Sequence, residues 1–160
     1  MPKIIEKLAY EYNELSDKAK EQANHWYACN VQYHWLDDHI EGVKRFLELF
    51  GITLTEWSID YCQYSYETDI DECKFQSIDK KRVEKLLSGF VLCYCADETI
   101  LASFKEAHKK HGSVKLAIEY ALEKSFDELQ SDYVNHYEDE SIEDFYTSNE
   151  YLFDEKGGIL

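Results

Sequence analysis

The side chains able to do chemistry in this chain are its cysteines, histidines and carboxylates, and their spacing decides what chemistry is open to them. Cys93-x-Cys95, the pair His108 and His111, and the pair His34 and His39 could each supply metal ligands. A structural zinc site is built from two ligand pairs of short internal spacing, which a lone Cys-x-Cys does not provide. His108 and His111 also lie among Lys105, Lys109 and Lys110, whose charge opposes a cation. Buried thiols and surface imidazoles are the expectation, with no metal and no other cofactor. Nucleophilic catalysis needs a Cys or Ser beside a His and an orienting carboxylate. All three types are plentiful, yet no G-x-S-x-G marks one serine and no cysteine stands out. With six glycines, two of them Gly157 and Gly158, neither G-x-G-x-x-G nor G-x-x-x-x-G-K can be written. No residue earns a catalytic role, and the chain reads as a protein that is not an enzyme.

The carboxylates are different. The thirty residues from Phe126 to Glu155 carry eleven Asp or Glu and no Lys or Arg, within a chain of 33 acids, 17 bases and net charge −16. Taken singly, Asp37 with Asp38, Asp71 with Glu72, Glu138 to Glu140, and Glu143 with Asp144 each read as a solvated face, because adjacent acids point in different directions, and the cluster is a stronger signal than its members. Solubility asks for a net charge of only about 2 to 8 in magnitude, so this excess calls for a further reason. A dense field of one sign repels phosphate and draws in basic surfaces. Direct binding of nucleic acid is disfavoured, and the expected partner is a basic protein surface, including one that normally grips DNA or RNA. The candidate partner-binding acids are Asp127, Glu128, Asp132, Glu138, Asp139, Glu140, Glu143 and Asp144. Tyr133, Tyr137 and Tyr146 join them as anchors, since Tyr offers large contact area at low entropic cost. Of the thirteen tyrosines, about half are expected to fill the core instead.

At 44% hydrophobic and 15% aromatic residues the composition can support a core, which separates this chain from acidic disordered ones. One Pro and no linker-like stretch argue for a single domain over residues 1–160, with an acidic C-terminal part at 126–155. Five cysteines, an odd number without a regular frame, suit reduced thiols. The opening Met1 to Glu6 has no long apolar run, and no stretch approaches the roughly 20 apolar residues that span a bilayer. A cytoplasmic protein, with no membrane partner, is expected.

The elements that must position these residues are legible as periods. Leu15 and Ser16 read as staple and N-cap of a helix from Asp17 to Val31, with Ala19, Ala23, Trp26, Tyr27 and Asn30 along one side. A second helix, Trp35 to Phe50, aligns Leu36, Ile40, Val43, Leu47 and Phe50 and closes at Gly51. From Ile52 the period becomes two and continues through Leu54, Trp57, Ile59, Tyr61 and Gln63, a strand covered on one face. Acids from Glu67 to Glu72 suggest a turn before a short strand at Cys73 to Gln76. Helices follow at Ser77 to Leu87, Glu98 to Lys110 and Ser113 to Tyr137, with Phe90 to Cys95 as a strand and Gly112 as a break. Leu116, Ala117, Tyr120, Ala121, Phe126, Leu129 and Tyr133 mark the buried side of the longest helix. Ser141 with Asp144 reads as a capping-box variant opening a helix to Asn149, and Tyr151 to Phe153 as a last strand. The fold class is α+β, a helix-rich single domain with a small antiparallel sheet.

Two terminal segments resemble a known family. Glu14-Leu15-Ser16-Asp17-Lys18-Ala19-Lys20-Glu21-Gln22-Ala23 followed by Trp26-Tyr27, then Trp35-Leu36-Asp37-Asp38 leading to Phe50-Gly51-Ile52, is similar to the opening of a phage and prophage family labelled antitoxin of a toxin-antitoxin stability system. Ser141 to Asn149 and then Glu150 to Gly157 resemble that family's ending. The likeness covers about the first 55 and last 30 residues. Between them, where the family carries a Gly-rich aromatic strand pair, Trp57 to Phe75 keeps the aromatics and has no Gly. The resemblance implies a phage-encoded binding protein. Together with the acidity, it points to a non-enzymatic inhibitor of a host defence nuclease complex or toxin, in the manner of an anti-CRISPR protein or DNA mimic. The alternative is an antitoxin or immunity-type protein that neutralises a toxin mainly through apolar contacts.

Overall fold

A computed structural model describes residues 8–71, 78–88 and 97–160. Among these the fold is α+β and helix-rich: six α-helices and one two-stranded antiparallel sheet. The chain divides into two compact units, one of Met1–Tyr33 with Asn135–Leu160 and the other of His34–Val134.

In the unit made from the two ends of the chain, a short 3-10 turn, Tyr12–Glu14, leads into α1, Asp17–Asn30. The hydroxyl of Ser16 accepts the Ala19 N–H at 3.4 Å, the N-cap that the sequence predicts, and Asp17 stands in the first turn where the helix dipole favours an acid. Leu15, Ala19, Ala23 and Tyr27 are buried; Trp26 is half-buried, and Asn30 is exposed. The other main helix of this unit spans Asp139–Ser148, one residue after a Glu138 cap in extended conformation. It therefore starts before Ser141, which lies in its first turn rather than at its cap, and it ends at Asn149 as expected. The predicted strand at Tyr151 to Phe153 is reduced to isolated bridges. Tyr10 and Phe153 exchange two backbone hydrogen bonds of 2.9 Å, and Phe153 also bridges Ile159. The Asp154 carboxylate explains why no strand extends from there: it accepts the N–H groups of Lys156 and Gly158 at 2.9 Å each and turns the chain.

In the 34–134 unit, α2 runs Leu36–Glu48 and buries His39, Ile40, Val43, Phe46 and Leu47. Gly51, at φ +70, ends it in the left-handed conformation its position requires. Strands β1, Leu54–Ile59, and β2, Tyr64–Thr68, pair antiparallel, with Trp57 opposite Tyr66 and Ile59 opposite Tyr64. The predicted single strand thus turns back at Asp60. Its carboxylate accepts the N–H groups of Cys62 and Gln63, both at 2.8 Å, and makes a tight turn inside the alternating run. Glu67, expected in a turn, is a β2 residue. The helix predicted to start at Ser77 is α3, Lys80–Leu87. It begins behind Asp79, whose carboxylate accepts the Lys81 N–H at 2.9 Å. Next come α4, Asp97–His111, the left-handed Gly112 and α5, Val114–His136. In α5 the buried side is Ala117, Ile118, Ala121, Leu122, Ser125, Phe126 and Leu129, whereas Leu116 is 49% exposed. The strands predicted at Cys73 to Gln76 and Phe90 to Cys95 lie outside the described residues. The Asp139–Ser148 helix is α6. No helix among the described residues is long and apolar enough to cross a membrane.

Candidate functional site

The acids at the start of α6 form a compact exposed set. Glu138 is the cap, Asp139 and Glu140 fill the first turn, and Glu143 and Asp144 follow one turn on. All five are exposed. Acids in this position interact favourably with the helix dipole, so the same charges that stabilise the helix end are displayed by it. Among the described residues none of the five has a Lys or Arg partner: the side-chain ion pairs described are Arg45 with Glu41 and Lys124 with Asp127. Asp139 is held in place by Asn24 of α1, whose Nδ2 donates to it at 2.9 Å. Asn24 in turn accepts from the Tyr12 hydroxyl at 2.7 Å, so a short polar chain fixes the first acid of α6 against α1.

A groove of about 330 Å³ opens beside this chain, with Tyr12 and Asn24 accompanied by Asp17, Glu21, Asp139 and Glu143. Lys20 also lines it and places its ammonium 5.0 Å from the centre of the Tyr12 ring. The Tyr12 hydroxyl is held above its ordinary pKa, first by burial and then, against the opposing Asn24 bond, by the charges of Asp139 and Glu143. Asp17, Lys20, Glu21 and Asn24 were not singled out in the sequence. Their spacing of three, one and three residues on α1 is the signal that could have found them.

The remaining predicted acids belong to the other unit. On α5, Asp127, Glu128 and Asp132 are exposed and Tyr133 is half-buried. Asp127 is engaged locally, accepting the Tyr64 hydroxyl at 2.7 Å and the Lys124 ammonium at 3.3 Å. The Tyr64 and Tyr66 rings stack on Phe126, at 5.5 and 4.6 Å between centres, which joins the hairpin to α5. Burial, then the bond to Asp127 and its charge, push the Tyr64 hydroxyl well above its ordinary pKa.

One predicted anchor is corrected. Tyr146 is 1% exposed and donates its hydroxyl to the Ala23 carbonyl at 2.7 Å, stacked on Tyr12 and edge-on to Phe153. It is a core residue of its unit and has no surface to offer. Tyr137 is half-buried, edge-on to Tyr27, with its hydroxyl 3.4 Å from the Val31 carbonyl. The expectation of buried thiols and surface imidazoles also needs amendment. Cys29 and Cys62 are exposed, one near the end of α1 and one in the hairpin turn, while His39 is 4% exposed within the apolar stripe of α2. Cys73, Cys93 and Cys95 lie outside the described residues. Among the described residues no three His, Cys, Asp or Glu side chains gather as a metal-binding group.

Comparisons with protein-family models, curated proteins and solved structures returned no match for this chain.

Proposed function

We propose that this protein is a non-enzymatic inhibitor encoded by a phage or other mobile element. It acts in the host cytoplasm by binding a cationic surface of a defence nuclease complex or a toxin, as an anti-CRISPR protein or DNA mimic does. The observation that carries the reading is the set Glu138, Asp139, Glu140, Glu143 and Asp144, exposed at the start of α6 with no cationic side chain paired to them among the described residues. Carboxylates fixed on a helix can meet the Lys and Arg side chains that otherwise hold phosphates, and their field speeds the encounter. Both pieces of the unit that bears α6 fall within or overlap the segments resembling the phage antitoxin family, which adds to the reading.

The test is retention of host proteins from a lysate on the immobilised protein at low salt, with elution by a salt step. Wild type should retain a nucleic-acid-binding protein that the combined variant Glu138→Lys, Glu140→Lys, Glu143→Lys and Asp144→Lys does not, with unchanged circular dichroism. Equal retention by the variant would reject this surface. An apolar antitoxin-like mode is favoured by Leu8, Leu152 and Leu160, which are 78%, 45% and 52% exposed in the same unit. Binding that does not weaken with salt would select that mode.

A further inference from the structure

Among the described residues His39 is the one histidine in the buried class, and its contacts join two helices of the 34–134 unit. We propose that His39 is a proton-responsive latch between α2 and α5, closed when the ring is neutral and loosened when it is charged. Its Nε2 lies 3.0 Å from the Ser125 carbonyl oxygen and 2.9 Å from the Ser125 hydroxyl, both buried. A carbonyl only accepts, so Nε2 carries the ring proton and Nδ1 of the neutral ring does not. Acid adds a proton at Nδ1 and thereby a full charge to a side chain that is 4% exposed and neighboured in sequence by the buried Ile40.

The charged groups acting on the ring are Glu128 and Asp132, both on α5, three and seven residues after Ser125. Among the described residues, β1 and α4, which also pack on α2, bring it no charged group. Burial outweighs the two carboxylates and the Ser125 bond, so proton affinity falls below the ordinary histidine value. The direction follows from linkage. Above the unfolded-state pKa of about 6.5 the ring is neutral in both states and the latch contributes fully. Below it the unfolded chain takes up a proton that the folded chain refuses, and stability is lost until the lower folded-state value is passed. The opening equilibrium rises by at most about tenfold per pH unit from this one group. No imidazole is buried among the described residues of the other unit, so the response is local.

The test uses the full chain, with the His39 ring followed by NMR and amide exchange measured in α1, α2 and α5 between about pH 7.5 and about pH 5.5. His39→Gln serves as the control, because its amide can donate to Ser125 without titrating. The expected result is a ring that titrates below about 6.5, with wild-type α2 opening more than His39→Gln by up to about tenfold per pH unit. A ring titrating at or above the ordinary value, or identical pH dependence in the two proteins, overturns the latch. Should His39→Gln not fold, the wild-type ring titration and the exchange of α2 relative to α1 decide by themselves.

Discussion

Tyr146 shows how a single residue can look like a contact and prove to be a support. In sequence it sits among acids, as an interface tyrosine would; in the structure its ring fills the core around Tyr12 and Phe153 and its hydroxyl satisfies the Ala23 carbonyl. Tyr146→Phe should therefore cost about 1 kcal/mol for the lost hydrogen bond, and Tyr146→Ala about 3 to 5 kcal/mol for the cavity, both read by urea unfolding. Partner binding by Tyr146→Phe should match wild type, whereas an interface role would weaken it without any change in stability. The acids themselves were legible because charge density needs no fold to be seen. Which of them are engaged was not. Asp127 meets Tyr64, 63 residues away, and Asp139 meets Asn24, 115 residues away, and no local pattern carries pairings of that range.

At the level of elements, legibility followed the strength of the punctuation. Ser16, Gly51 and Gly112 mark helix ends by chemistry that is local, and α1, α2, α4 and α5 end within a residue or two of their predicted bounds. Ser16→Ala should lower stability by about 1 kcal/mol through the lost cap. The hairpin was missed because Tyr61 and Gln63 continue the alternation through the turn, and the turn is made by one aspartate without a glycine. The glycines differ in a way only the fold reveals. Gly112 has open space around it, so Gly112→Ala should cost about 1 to 2 kcal/mol for the left-handed backbone alone. Gly157, at φ +86, faces the Ala19 carbonyl closely enough that a Cβ would collide with α1 backbone. Gly157→Ala should be distinctly the more damaging of the two in the same thermal or urea series, and equal losses would mean that the C-terminal turn yields freely.

For the whole molecule, no Pro, Gly or polar linker marks the boundary between the two compact units. The change from one to the other falls inside α5, between Val134 and Asn135. The charge of −16 is a property of the entire chain, and the five acids at the start of α6 gather ordered placement and exposure within two turns of one helix, with no cationic partner among the described residues. Attraction between such a surface and a cationic partner is screened over roughly 8 to 10 Å at physiological ionic strength, so affinity should fall as salt is raised, mainly through slower association. The most direct measurement is the association rate of the captured partner with wild type and with the Glu138→Lys, Glu140→Lys, Glu143→Lys, Asp144→Lys variant, across a salt series. A rate that is steeply salt-dependent in wild type, and slow and flat in the variant, is the expected result. Equal rates and equal salt slopes for the two proteins would contradict recognition through the α6 acids.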